Sequence, residues 1–241
     1  MRSLSPARAS AGALLTVCLG VAAWAGEDPE DFTTQELTIN DVPPSVRATV
    51  LKEAEGAKIA GIRRLQKGRQ TKYLANLVAG EKTTGLEVRE DGTVSFRSSS
   101  EPVQLEQLPA AVKEAIRKEA GTLAHEGAPG KVFEVERVIE QGKLRYVASI
   151  QAGRRDLQVV VDLDGKVAER LTEEEVTFDQ LPRAVQATIR RKCEGDTAGD
   201  FRRVTRKGRT FYDVDMTWKP IYLLIDPTGK LLKLDMEGEL K

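Results

Sequence analysis

Leu108-Pro109-Ala110-Ala111-Val112-Lys113-Glu114-Ala115-Ile116 sets a proline ahead of an apolar stripe. Proline suits the first turn of a helix, and Val112, Ile116 and Ala120 fall at i, i+4 and i+8 on one helical face. The phrase occurs twice more. Val42-Pro43-Pro44-Ser45-Val46 runs on to Val50 and Ala54, and Leu181-Pro182-Arg183-Ala184-Val185 runs on to Ile189 and Cys193. Glycine follows each stripe, at Gly56, Gly121 and Gly195, which suits a helix end. Ile39, Leu105 and Phe178 precede the three copies at matching positions.

A hairpin pattern recurs after each helix as well. Ile59 to Leu65 turns at Gly68 into Thr71, Tyr73, Ala75 and Leu77, an alternating strand. Lys131 to Ile139 turns at Gly142 into Leu144, Tyr146, Ala148 and Ile150. Phe201 to Arg206 turns at Gly208 into Tyr212, Val214 and Met216. A second hairpin comes next each time, turning at Glu90-Asp91-Gly92, Asp164-Gly165 and Asp226-Pro227-Thr228-Gly229. Asp-Gly between alternating apolar residues is a strong hairpin signal. The middle copy is lengthened by a Gly/Ala/Pro-rich insertion at residues 121–130, which holds His125.

Recurrence of a whole set of elements marks repeats. The expected fold class is therefore α+β: three tandem repeats over residues 37–97, 103–172 and 176–240, each one helix packed on an antiparallel sheet of about four strands. Arg97 to Pro102 reads as a polar linker, and Glu173-Glu174-Glu175 as a separator. Units this small are poorly stable alone, so neighbouring repeats should pack side by side or share a sheet.

The N-terminus is of another kind. Arg2 and Arg8 precede an apolar run from Ala11 to Ala23, and Ala23-Trp24-Ala25 fits a small-x-small cleavage site. Residues 1–25 read as a secretory signal peptide, and the processed chain is expected to be extracytoplasmic, periplasmic or secreted, with no transmembrane span. A retained membrane anchor is the alternative, for which the run is short. Lipid attachment at Cys18 is another, with Val17 standing where a lipobox wants a small residue. Residues 26–36 read as a flexible acidic tether.

Composition bounds the rest. With 40% apolar and 31% charged residues the chain is globular rather than disordered. Lys plus Arg equals Asp plus Glu at 37 each, so there is no overall basic field for nucleic acid. Processing after Ala25 would remove Cys18 and leave Cys193 alone, so packing rather than a disulfide must hold the fold.

The residues of the second copy carry a family resemblance. Leu108-Pro109-x-x-Val112-x-x-x-Ile116, a glycine turn, a tyrosine on an alternating strand and Val161-Asp162-x-Asp164-Gly165-Lys166-Val167 resemble PepSY-like repeats. The resemblance covers most of residues 37–240. It implies small extracytoplasmic domains with the fold of beta-lactamase-inhibitor proteins, a helical layer on a four-stranded antiparallel sheet. Related PepSY domains are associated with protease propeptides, which implies a role in inhibition by analogy alone. The first copy departs most, since Glu90-Asp91-Gly92 lacks the Val-Asp lead-in.

Catalytic chemistry finds little support in the residues. His125 is the one histidine, and no nucleophile motif flanks it. One histidine and one mature cysteine, in different repeats, do not make a zinc site. Asp162-Leu163-Asp164-Gly165 fails the calcium-loop pattern at Val160 and Leu171. The expectation is a non-enzymatic protein with no cofactor and no metal. Two features suggest binding instead. From Arg183 to Arg209 cations crowd the chain, with Arg190, Arg191, Arg206 and Lys207 the candidates for contact. Phe211 and Trp218 fall outside the alternation of Tyr212, Val214 and Met216, which places them on the open sheet face or between repeats. The leading expectation is recognition of a protein or peptide partner through open sheet faces, with inhibition of an extracytoplasmic enzyme as one form of it. The alternative is a structural or envelope-assembly component that contacts anionic envelope surfaces.

Overall fold

The structure is a computed structural model that describes residues 33–217 and 221–236. The expected signal peptide, most of the expected tether and Trp218 lie outside the described residues. Strand β1 (Thr33–Leu37) leads into helix α1 (Pro44–Ala54) and strands β2 (Lys58–Lys67), β3 (Gln70–Ala79), β4 (Lys82–Arg89) and β5 (Val94–Pro102). Helix α2 (Ala110–Thr122) precedes β6 (Lys131–Glu140), β7 (Lys143–Ala152), β8 (Arg155–Asp162) and β9 (Val167–Val176). Helix α3 (Arg183–Lys192) precedes β10 (Gly199–Arg206), β11 (Arg209–Met216), β12 (Ile221–Ile225) and β13 (Leu231–Met236). Short 3-10 turns at Leu105–Gln107 and Phe178–Gln180 lead into the second and third helices.

The described residues divide into two compact units, residues 33–99 with 140–142, and residues 100–139 with 143–217 and 221–236. In the first the strands lie in the order β1-β2-β3-β4-β5, and in the second from β6 to β13 in sequence order. The pairings β1 with β2, β2 with β3, β7 with β8 and β9 with β10 are all antiparallel.

Each helix starts as its proline dictates. Pro43, Pro109 and Pro182 hold φ between −54° and −52°, just ahead of the first helical residue. They lack an N–H to leave unpaired, and each carbonyl accepts the first helical bond, from Arg47, Lys113 and Gln186 at 2.9–3.0 Å. The residue before each proline, Val42, Leu108 or Leu181, is buried and anchors the turn in its core. Val46, Val50 and Ala54 then pack with Tyr73, Ala75, Leu86 and Val88 in the first unit. In the second unit Val112 and Ile116 pack with Tyr146, Ala148, Ile150 and Val159. Val185, Ile189 and Cys193 pack with Tyr212, Val214, Leu223 and Ile225. The period-four and period-two stripes read from sequence are thus the two sides of each core. Each of these large side chains contributes about 1.5–3 kcal/mol on burial.

The second hairpin of each set backs onto its helix. Gly92, Gly165 and Gly229 adopt φ of 86°, 83° and 84°. A Cβ on them would lie 2.9, 2.7 and 2.5 Å from the carbonyl oxygens of Ser45, Ala111 and Ala184, in the first turn of the respective helix. Only glycine satisfies both the left-handed backbone and this approach. Thr49 and Thr188 strengthen the contact by donating their hydroxyls to the carbonyls of Gly92 and Gly229, at 2.7 and 2.6 Å. Ala115 occupies the matching position of α2 and supplies no such bond.

Three stretches differ from their sequence reading. Thr33 to Glu36, expected in the tether, form most of β1, which pairs with Arg63 to Gln66 of β2. An exposed edge strand needs no apolar alternation, so its sequence looked like a tether. Arg97 to Pro102, read as a linker, belong to β5, where Ser98 and Ser100 are buried. Glu173 to Glu175, read as a separator, belong to β9, where Arg203 and Arg202 of β10 stand opposite Glu174 and Glu175.

Gly229→Ala should cost at least ~2 kcal/mol, because strain at positive φ adds to a backbone clash. Gly208→Ala, at φ 73° with nothing within 4 Å of the added methyl, should cost only ~1 kcal/mol. Urea unfolding of the two variants measures the difference, and equal losses would contradict the helix-backing role of Gly229.

Candidate functional site

The helices cover one face of the second unit's sheet, and the other face carries a charged field. Leu157, Val159 and Val161 point to the core, so Asp156, Gln158 and Val160 between them point away from it. Register carries this open face across the strands. Gln151, Asp156, Glu173, Val204 and Phe211 lie opposite one another in turn from β7 to β11. The adjacent row reads Glu175, Arg202, Asp213, Leu224 and Lys233 from β9 to β13.

Arg202 is the hub of this field. Its guanidinium lies 3.7 Å from Glu173 and 3.5 Å from Asp213. Burial pushes the carboxyl of Asp213 above the usual range, and Arg202 only partly offsets this. Burial likewise raises Glu173, again against the pull of Arg202, with further repulsion from Asp213 and Asp156. Asp156 is raised by burial despite a hydrogen bond from Gln151, with repulsion from Glu175 added. One oxygen, Oδ1, of each of Asp156 and Asp213 is buried without a hydrogen-bond partner. Three carboxyls therefore share one guanidinium in partly dry surroundings, where ionising all of them is costly.

The structure sorts the residues singled out from sequence. Phe211 is half-buried on the open face, with the Arg209 guanidinium carbon 5.1 Å from its ring centre. Arg206 and Lys207, near the β10–β11 turn, lie 4.0 and 3.9 Å from Glu169. Arg190 and Arg191 stand elsewhere, exposed on α3. The basic run is thus two features and not one patch. Asp156, Glu173 and Asp213 were not selected from sequence. Their phase relative to Leu157, Val159, Tyr212 and Val214 could have found them.

The remaining candidates have structural surroundings. Cys193 is 1% exposed in the core beneath α3. His125 is exposed, with its Nε2 3.7 Å from Glu126, and its ring caps the turn at Gly153. No group of three or more His, Cys, Asp or Glu among the described residues is placed to hold a metal ion. A groove of about 420 Å³ lies between α2 and the Gly165 turn, where Ala111 and Ala115 leave space beside Glu114 and Lys118. Its floor includes the bidentate pair of Glu119 and Arg170, at 2.7 and 2.8 Å.

Comparison with known proteins fits this geometry. The model of the family described as beta-lactamase-inhibitor-like, PepSY-like matches residues 92–169 and again 168–233. The chain belongs to the PepSY-like family. Both matched copies fall on helix-and-hairpin sets of the kind seen here, the second and the third. No curated protein matches this PepSY-like chain. Among solved structures, a DUF2874 family protein from Bacteroides ovatus is 19% identical, with a TM-score of 0.37, over 54% of this chain and 87% of that one. A BLIP-like protein from Bacteroides fragilis is 15% identical, with a TM-score of 0.36, over 54% of this chain and 84% of that one. Among the described residues no helix is long and apolar enough to cross a membrane.

The charged field makes stability depend on pH in two opposed ways. Asp156, Glu173 and Asp213 have raised pKa values, so the folded chain holds their protons more tightly than the unfolded one. Their cost to folding is full above the folded pKa and fades as pH falls toward the ordinary carboxylate value of about 4. Glu119 is lowered by its hydrogen bonds from Arg170, and Asp162 by those from Lys143 and Arg145. Asp226 is lowered by its bond from Thr228. What these three contribute is present above about pH 4 and lost as pH falls through their folded values. The melting temperature should therefore rise as pH falls from neutrality toward the ordinary carboxylate range and drop once pH falls below that range. Combining Asp156→Asn, Glu173→Gln and Asp213→Asn should flatten the upper limb and spare the lower one. A wild-type melting temperature that falls steadily from neutrality would contradict the burial of these acids.

Proposed function

We propose that this PepSY-like chain is an exported, non-enzymatic binding protein made of three repeats, with the α1 set as the first. It recognises a protein or peptide partner through the open face of its second unit. The observation that carries this reading is the one-sided cover of that sheet. Helices α2 and α3 bury one face, while the other presents Leu171, Val204, Phe211, Tyr222 and Leu224, all only half-buried, among paired charges. Apolar and aromatic side chains set among ion pairs are what a protein interface uses for affinity and for selection. The beta-lactamase-inhibitor-like description of the family supports a binding role and, as one form of it, inhibition of an extracytoplasmic enzyme. Export rests on the sequence of residues 1–25, and residues 26–32 remain a tether in this reading.

Phe211 is the expected anchor. It is aromatic, central in its row and held by Arg209, the kind of residue that dominates interface energetics. The test incubates the protein with extracytoplasmic proteins, recovers a saturable partner and assays secreted proteases for inhibition. Phe211→Ala should weaken the recovered complex about tenfold or more, while Leu51→Ala, an exposed leucine of α1, should leave it unchanged. Absence of any saturable partner together with absence of inhibition would refute the reading. So would a partner indifferent to both Phe211→Ala and Tyr222→Ala.

A further inference from the structure

The third helix differs from the other two in what becomes of its charges. In α1, Arg47 donates to the carbonyls of Ile39 and Asn40. In α2, Lys113 and Arg117 both reach Glu106, at 3.2 and 2.9 Å. The residue of the third set that matches Glu106 is Asp179, one methylene shorter. No ion pair joins it to Arg190, whose guanidinium carbon lies instead 5.0 Å above the Phe178 ring. Arg183 and Arg191 are exposed and make no ion pair among the described residues. These three arginines share the outward side of α3 with Ala184 and Ala187, both exposed and small.

The end of α3 diverges in the same direction. Glu53 in α1 pairs with Arg97, and Glu119 in α2 pairs with Arg170. Each arginine stands five residues after its helix-backing glycine. At the matching positions the third set has Lys192 and Leu234. The internal ion pair is gone, a fourth exposed cation takes the place of the glutamate, and Leu234 is 41% exposed. Leu234 is in register with the core residue Leu223, so it lies on the helix side of the sheet. The strand cations of the same basic run are accounted for otherwise. Arg202 faces Glu173 and Asp213, Arg203 pairs with Glu174, and Arg206 and Lys207 approach Glu169.

We infer that the outward side of α3, with Arg183, Arg190 and Arg191 around Ala184 and Ala187, and with Lys192 and Leu234 at the margin of its C-terminal end, docks on an anionic phospholipid bilayer. Four cations with no carboxylate partner among the described residues complement a plane of phosphates, and small residues between them let the helix lie close to that plane. An exposed leucine beside cations suits the boundary between headgroups and acyl chains. The surface lies on the opposite side of the sheet from the proposed partner face, so a docked chain would keep that face turned away from the lipid.

The test uses the full-length chain and sedimentation with lipid vesicles. Phosphatidylcholine vesicles read any partition of the apolar N-terminal segment. Vesicles containing phosphatidylglycerol add the headgroup charge. Binding to the anionic vesicles should exceed binding to the neutral ones, and the excess should vanish at about 0.5 M salt, where charges are screened within a few ångströms. Each cation near such a surface is worth roughly fivefold in partition. Arg183→Glu, Arg190→Glu and Arg191→Glu together should therefore remove the excess, lowering it at least about tenfold. The milder triple change to Gln should lower it less, which guards against a folding defect at the helix end. Reversing Arg206 and Lys207, which face Glu169, should leave the excess unchanged. Absence of an excess on anionic vesicles at low salt would overturn the inference. So would an excess that survives the triple reversal. Salt-sensitive binding to polyglutamate without binding to anionic vesicles would overturn it in favour of an acidic protein partner.

Discussion

Everything in this fold leans on the contact between a glycine turn and the first turn of a helix. A proline fixes where the helix starts, and its carbonyl closes the first turn. The glycine of the last hairpin then sits against the next carbonyls, too close for any side chain. That contact sets the height of the helix over the sheet, and the apolar stripes meet because of it. The same three parts, an apolar-Pro step, a stripe at i and i+4 and a glycine at φ near 85°, recur at Gly92, Gly165 and Gly229. The repeated phrase in the sequence is thus a packing device and carries no chemistry of its own.

Function has to be sought where the copies depart from one another. The departures seen here are electrostatic. At the seam of β9 and β10, acids of the second set meet arginines of the third, and Arg202 serves several carboxyls at once. Such a seam specifies register, since a slip of one residue would turn the buried charges toward the apolar core. It also costs stability, because partly buried carboxyls are paired with too few cations. In α3 the departure is of the opposite sort: Arg183, Arg190, Arg191 and Lys192 have no carboxylate partner among the described residues, whereas Lys113 and Arg117 of α2 both reach Glu106. A chain selected for stability alone would pair these charges or remove them, and both the proposed partner face and the inferred lipid-docking surface rest on that departure.

Most of the fold was legible in the sequence. The proline phrase placed all three helices, and alternation placed Tyr73, Tyr146 and Tyr212 in their cores, where each is buried. Glycine turns divided the strands correctly. The errors share a cause. Residues 97–102, 173–175 and 33–36 are polar, and polar runs read as linkers. In a sheet with one uncovered face, strands need only half their residues apolar, and an edge strand or a charge-paired seam needs fewer still. The candidate surface was legible in part. Phe211 stood out by its phase, but Asp156, Glu173 and Asp213 are three ordinary acids until register brings them around Arg202. The basic run misled in the other direction, since adjacency in sequence joined α3 cations to strand cations that face different partners.

The central claim is that the second unit's sheet is covered on one face and open on the other. Hydroxyl-radical footprinting read by mass spectrometry tests it residue by residue. Phe211, Tyr222 and Leu224 on the open face should oxidise several-fold faster than Phe201, Tyr212 and Leu223, which lie in the core beneath α3. Equal protection of the two sets, or faster oxidation of Tyr212 and Leu223, would contradict the account.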